Sequence, residues 1–526
     1  MSTQTLQPVV SRRSSLRFAI PGQDKIVLVF VVLYAFAQVV LAVRHEPWRD
    51  ESQAWLIARD ATPWRIVSDL TSQEGHPALW FFVLMPFAKL GVGYWSMEML
   101  SVVITVLAAV LLIAVKAPTI WKIVVLFTPL FWYWPSVVSR SYCLIALFAM
   151  LAAVLYPRRN RHPWAYALVA ALLFQTHALT FAFAGMLALF QMIELCRQRR
   201  FPFPTLLPAT SVLAALGELM GGEQPVPMTG SVLDRLKMLT SPIAGSVGGG
   251  HQTLTFAVVT MLIAAVLVVT AVRSVTAALY GLAGVVWLAF MDVVVYPISN
   301  VQKLAAWLSM LLLVVPFSAA DAGQRSNAKP NARHRNISID GTNRMASRML
   351  VGVSLILALL LTPSTMEASY KDLTGSFSAG PALGRLLNDH TTGGTVIVPI
   401  ADRGSQYAVS NALPYLTRGQ VMWSMAVNGE ISYVTNQFRD YWNQHGSVSD
   451  KEAPEQAAML VDEHIARNTQ TIIVACADSG QTGLDNAFSQ DRRMTLLGTV
   501  DEPDVNESLR SVHGGIRCSA YAYKRD

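Results

Sequence analysis

Hydrophobic residues along this chain gather into long runs rather than the short periodic stripes of a soluble protein. The runs cover residues 26–43, 97–115, 121–138, 141–156, 165–175, 178–195, 206–220, 256–272, 275–295, 304–317 and 349–361, with a shorter one at 77–90. A helix needs about 20 apolar residues to cross a bilayer, and the pattern predicts about 11 crossings, with 77–90 left open between crossing and dipping in. Residues 165–175 and 178–195 read as two short spans, because both outer flanks are basic and must share a side. From residue 366 the pattern changes. Stretches 395–400, 471–475, 494–500 and 516–523 are β-rich, whereas 379–389 and 452–468 have helical spacing. Alternation of that kind predicts an α/β layer domain. The expected fold class is a polytopic α-helical membrane domain followed by a small α/β domain.

Composition agrees with the pattern. The 526 residues are 53% hydrophobic and 14% charged, against roughly 25% charged in soluble domains. Basic residues cluster beside apolar runs: Arg12, Arg13 and Arg17; Arg158, Arg159 and Arg161; Arg197, Arg199 and Arg200; then Arg325 to Arg348. This is the positive-inside pattern, and it orients the chain. Residues 1–25 are expected in the cytoplasm, and 26–320 form the membrane domain with outer loops 44–76 and 221–251. Residues 321–348 form a basic cytoplasmic loop, 349–365 the final transmembrane helix, and 366–526 an extracytoplasmic domain. The net charge of +7 is thus a membrane signature; a nucleic-acid binder would concentrate it on a folded face. Residues 26–43 lack a small-x-small cleavage site and read as a retained first span rather than a secretion signal. No glycine-rich loop follows a strand, so nucleotide binding is not assigned.

Candidate chemistry concentrates in the first outer loop. In Glu46-Pro47-Trp48-Arg49-Asp50-Glu51-Ser52-Gln53-Ala54-Trp55, two adjacent carboxylates are bracketed by tryptophans just past the first span. Carboxylates at a membrane boundary, shielded by aromatics, can serve as a general base. The plainer reading is a helix start with Asp50 as its cap and an interfacial aromatic belt. At the far end of the loop, Glu74-Gly75-His76-Pro77-Ala78-Leu79-Trp80 places an imidazole where the next apolar run begins. Other polar groups fall at outer turns: Arg140 and Tyr142, His177, and Asp292 with Tyr296, Gln302 and Lys303. Lys303 also reads as a lysine snorkelling from a helix end. His177 also reads as a packed polar residue. A carboxylate such as Asp292 near an apolar span usually has a partner or a task.

The pattern Trp48-x-Asp50-Glu51-x-x-x-Trp55, followed by Gly75-His76-Pro77-x-Leu79-Trp80, resembles the first outer loop of the GT-C glycosyltransferase superfamily. That superfamily includes protein O-mannosyltransferases, lipid A aminoarabinose transferases and many bacterial homologues. The resemblance extends in layout over residues 1 to about 320 and is specific in the first loop and in Ser139-Arg140-Ser141-Tyr142. The chain departs from the common His-Pro-Pro in having Ala78. The resemblance implies inverting transfer of a sugar from a polyprenyl-phosphate donor to an extracytoplasmic glycan, lipid or protein acceptor, in a bacterial plasma membrane. Asp50 takes the position of the catalytic acid residue, with Glu51 beside it. An anionic donor phosphate needs cations to hold it, and Arg140 and Lys303 are the candidates. His76, Tyr142, His177 and Asp292 are substrate-site candidates. A divalent cation (Mg or Mn) at Asp50 is left open, since no dedicated metal cluster is visible.

Two other readings stand beside this one. A lipid-linked glycan flippase would carry paired inverted repeats and broken helices, neither of which is seen. A non-catalytic envelope scaffold would not require the Asp50-Glu51 pair. Among the four cysteines, Cys143 and Cys196 fall in apolar runs. Cys476 and Cys518 lie in the tail, where an oxidising compartment would permit a disulfide, the alternative being two buried free thiols on separate strands.

Overall fold

The computed structural model describes residues 22–221, 230–246, 250–295, 309–327, 337–503 and 515–525. Lys303, Tyr296 and Gln302, most of the segment 1–25, and parts of the stretches 221–251, 304–317 and 321–348 lie outside the described residues.

Among the described residues, six helices are long and apolar enough to cross a membrane: Lys25–Arg44, Trp95–Ala114, Ala178–Arg197, Gln252–Arg273, Val275–Val295 and Asn343–Thr374. Five shorter apolar helices accompany them, at Leu79–Lys89, Tyr142–Arg158, Pro163–Phe174, Phe203–Leu219 and Leu311–Gln324. Val29, Leu33 and Phe36 on the first helix, and Leu254, Met261 and Val268 on the fourth, are exposed. Apolar side chains that face outward in such numbers suit lipid rather than water. Gly284 permits one close crossing, since a Cβ there would meet the ring of Phe183 at 2.1 Å. Small residues at helix contacts are how membrane helices approach one another.

The run 121–138 is not one continuous helix: a helix covers only Thr119–Leu126, and the chain continues beside the first helix through turns over 127–141. Pro129 and Pro135 cannot continue a helix, and Tyr133 takes a left-handed backbone, φ 66°. Irregular backbone at membrane depth is tolerated only inside protein, and Phe131, Tyr133, Trp134 and Val137 are all buried. The first helix, α1 (Gly22–Arg44), holds this segment: Tyr34 Oη donates to Phe131 O at 2.6 Å, and Ser136 Oγ donates to Gln38 Oε1 at 2.5 Å.

The segment 44–76, expected as an outer loop, is largely helical, built on α2 (Arg49–Asp60) and short turns through Glu74. The stretch 221–251 contains helices Val232–Met238 and Ser241–Ser246. The final span does not stop at 365. Helix α3 (Ile337–Thr374) begins inside the expected basic loop 321–348 and runs nine residues past the expected end. Its last turns are polar helix formers carrying an i,i+4 pair, Lys371–Glu367 at 2.8 Å. Helix Val314–Asn327 enters the same loop from its other side.

The two ends of the membrane domain are distinct. At one end Arg159 approaches Asp321 at 3.6 Å, and Gln324 Nε2 donates to Pro157 O at 3.2 Å, which unites two basic segments. The other end carries α2 and the tail. Helix Leu79–Lys89 starts and finishes there: Ala78 N donates to Glu218 Oε2 at 2.8 Å, and Lys89 Nζ donates to Arg59 O and Ala61 O at 3.1 and 3.0 Å. The chain returns to the layer it left, so this segment dips rather than crosses.

The tail is a six-stranded sheet, β1 (Val396–Ile400), β2 (Val421–Ser424), β3 (Gly429–Glu430), β4 (Thr471–Asp478), β5 (Met494–Glu502) and β6 (Ile516–Tyr523). Its order is β3-β2-β1-β4-β6-β5. Strand β1 pairs in parallel with β2 and with β4, whereas β6 runs antiparallel to β4 and β5. The parallel strands are apolar along nearly their whole length, as strands covered on both faces must be. Cys476 and Cys518 sit directly opposite on β4 and β6, and a disulfide joins them.

Candidate functional site

The site is organised by the entry to α2. Trp48 is the N-cap, and Glu51 at the third helical position accepts from Trp48 N at 3.0 Å, one half of a capping box. Glu51 is fully buried and reaches further. It accepts from Ser139 N at 2.6 Å and bonds His45 Nε2 at 3.0 Å; His45 Nδ1 bonds Asp372 Oδ2 at 2.9 Å. One imidazole therefore ties α1, α2 and α3 together. Burial works against the charge on His45, but Asp372 and Glu51 outweigh it and hold the imidazole well above the usual histidine range. With both ring nitrogens facing carboxylates, the protonated form donates to each.

Asp50, one position earlier, faces the other way. Its side chain is a quarter exposed and forms an ion pair with the Arg140 guanidinium. Arg140 comes from the irregular segment that follows helix Thr119–Leu126, and its side chain is nearly buried. Tyr142 lies beside it, with the guanidinium carbon 6.0 Å from the ring centre. The adjacent carboxylates of the motif thus have different work: Glu51 holds the fold, and Asp50 presents a carboxylate to open space.

Glu74 belongs to the same site, which its place in the sequence motif does not reveal. Gln53 Nε2 donates to it at 3.0 Å. Burial pushes its carboxyl up; the charge of Asp50 adds to this, and Gln53, Arg140 and Arg439 oppose it. Gln53 also clamps the tail, donating to Val434 O at 2.7 Å and accepting from Val434 N at 2.8 Å. Further bonds run from Phe377 N to Glu46 at 2.8 Å and from Asn436 N to Gln73 at 2.7 Å. The tail is seated on the segment 46–73 through its backbone groups, which no side-chain motif announces.

His76 and His177 are brought together with ring centres 6.5 Å apart, both buried, and His76 stacks on Phe81. Asp292 belongs to another local group, where Arg235 Nη1 donates to its backbone oxygen at 3.1 Å. Among the described residues no three His, Cys, Asp or Glu side chains are grouped to hold a metal ion.

Above Asp50 lies a cleft of about 760 Å³. One wall is Trp48, Arg49 and Asp50; the other is the tail, at the carboxyl ends of β1 and β4 and the start of α4 (Arg403–Ala412). Asp402 caps α4 through Ser405 N at 2.8 Å, and Ser405 Oγ accepts from Cys476 N at 2.9 Å, which fixes the two strand ends to each other. Burial pushes the Asp402 carboxyl up. No protein-family model matches this chain, and no curated protein matches it.

Proposed function

We propose that the chain is a membrane glycosyltransferase of the GT-C type, moving a sugar from a polyprenyl-phosphate donor to an acceptor hydroxyl on the extracytoplasmic side. The observation that carries this reading is the separation of roles in the Asp50-Glu51 pair, with Asp50 lining the cleft and paired to Arg140. Six long helices, four of the five shorter ones (Leu79–Lys89 only dips) and the broken passage through 119–140 support a multi-pass membrane domain of about 11 crossings. In this reading the end bearing α2 and the tail faces outward, and the end gathering Arg159 and Asp321 faces the cytoplasm, as the basic segments there require.

The acceptor oxygen attacks the anomeric carbon, and its proton passes to the Asp50 carboxylate. The bond from the anomeric carbon to the phosphate oxygen breaks, and polyprenyl phosphate leaves with the electron pair. Attack opposite the leaving group inverts the anomeric centre. Arg140 offers the charge-assisted hydrogen bonds that the departing phosphate needs. Because Arg140 engages Asp50 first, an incoming phosphate competes for the guanidinium and releases the carboxylate lone pairs for base work. Donor binding and base activation are then one event.

Asp50→Asn keeps the volume and removes the base. Mass spectrometry of cell-envelope glycans should show loss of the product, since general-base catalysis contributes about 10²–10⁴-fold. Product formation within about tenfold of wild type would exclude Asp50 as the base.

A further inference from the structure

The sheet order contains a topological switch. From β1 the chain goes to β2 on one side, and β4 lies on the other, all three parallel. In open sheets of this kind ligands bind in the crevice outside the carboxyl ends of the strands where the order reverses. The cleft lies at that crevice: Asp402 follows β1, and Asp478 ends β4. Its volume of about 760 Å³ is within the range of small-molecule sites, roughly 300–1,000 Å³.

The backbone supports the assignment independently. Ala401, between β1 and Asp402, has φ 83°, a left-handed conformation that costs a residue with a Cβ. It is retained because Val448 N donates to Ala401 O at 2.7 Å. Strain held in place by its surroundings is characteristic of ligand-binding turns.

We infer that this switch-point cleft binds the acceptor as a neutral glycan. The lining carries three carboxylates, Asp50, Asp402 and Asp478, against two guanidinium groups, Arg49 and Arg403. Asp50 is already paired with Arg140, so the lining is close to charge-balanced and offers an anion no excess of positive charge. Sugar hydroxyls both donate and accept, so they match carboxylates and guanidiniums together. The Arg49 and Arg403 guanidinium carbons lie over the Tyr407 ring, 4.6 and 5.8 Å from its centre, so the three side chains form one group in the lining that can engage sugar hydroxyls. A glycan held by this group would reach from the tail to Asp50, which lines the same cleft. The tail is then the acceptor-holding half of the site, and α2 the reacting half.

The identity of the acceptor rests on the transferase reading, whereas occupation of the cleft by sugar does not, so binding is measured apart from transfer. The full chain in detergent would be titrated by saturation-transfer NMR with maltotriose, mannotriose and galactobiose, and with inorganic phosphate and trigalacturonate as anions. At least one neutral sugar should bind with a dissociation constant of about 1 mM or tighter. Tyr407→Ala should weaken it about tenfold, and Asp478→Asn, which keeps the shape, should weaken it severalfold. Failure of all neutral sugars, preference for either anion, or binding indifferent to both variants overturns the proposal. If the sugar binds but Asp50→Asn leaves envelope glycans unchanged, the cleft assignment stands and the transferase reading falls.

Discussion

Replacing His45 by glutamine removes a group that joins three helices. The side chains of His45, Glu51 and Asp372 are 0%, 0% and 1% exposed, so water cannot take over for a lost partner. Each hydrogen bond to a charged group contributes about 1.5–3 kcal/mol, and breaking a buried pair from one side costs about 3–5 kcal/mol. Glu51 keeps the N–H groups of Trp48 and Ser139, which places the expected loss near the middle, about 4 kcal/mol. The sign with pH is fixed by the raised proton affinity of His45. The imidazole's contribution is complete below its unfolded value, about 6.5, and is lost as pH rises through the higher folded value. Unfolding of the full chain in detergent, followed by tryptophan fluorescence near neutral pH and in alkaline buffer, should therefore show a gap between wild type and variant that narrows at high pH. Asp372→Asn in the same background should recover part of the loss, because it removes the stranded charge. A neutral-pH difference under about 1 kcal/mol, or a gap that widens with pH, would refute the reasoning.

Three other outcomes are expected. Glu74→Gln should raise the melting temperature near neutral pH, because burial disfavours the charged carboxylate; the gain should vanish below about pH 4, where both forms are neutral. Non-reducing mass mapping should find Cys476 and Cys518 linked, and reduction should cost up to about 4 kcal/mol for their separation of 42 residues; two alkylatable thiols before reduction would contradict this. For sidedness, Thr62→Cys and Ser449→Cys, both at exposed positions, should label from outside and Ser338→Cys only after permeabilisation. Buried Ser52 would be a misleading probe, and exposed Cys196 must first be replaced. Outside labelling of position 338 would overturn the orientation.

The membrane helices were legible because a bilayer demands long apolar runs, and runs such as 26–43, 97–115 and 275–295 leave no soluble alternative. The tail strands at 396–400, 471–478 and 516–523 were legible for a related reason, since strands covered on both faces are continuous in β-branched and apolar residues. Strand β2 and helix α4 were missed because their residues carry neither signal. The irregular backbone inside the run 121–138 was not legible because hydropathy reports only that a segment avoids water. Whether it avoids water by facing lipid or by lying inside protein depends on its neighbours, here Tyr34 and Gln38.

The sequence by itself determined that Asp50, Glu51 and Arg140 stand near polar turns of a membrane protein, because local motif and hydropathy are properties of neighbouring residues. Only the tertiary structure decided which carboxylate meets Arg140 and which is buried under His45, because one helical step of about 100° turns adjacent side chains to different surroundings. It alone also placed the carboxyl ends of β1 and β4 over Asp50. Those contacts join residues more than 300 positions apart through backbone groups such as Val434 and Phe377, and backbone groups are the same at every position of the sequence.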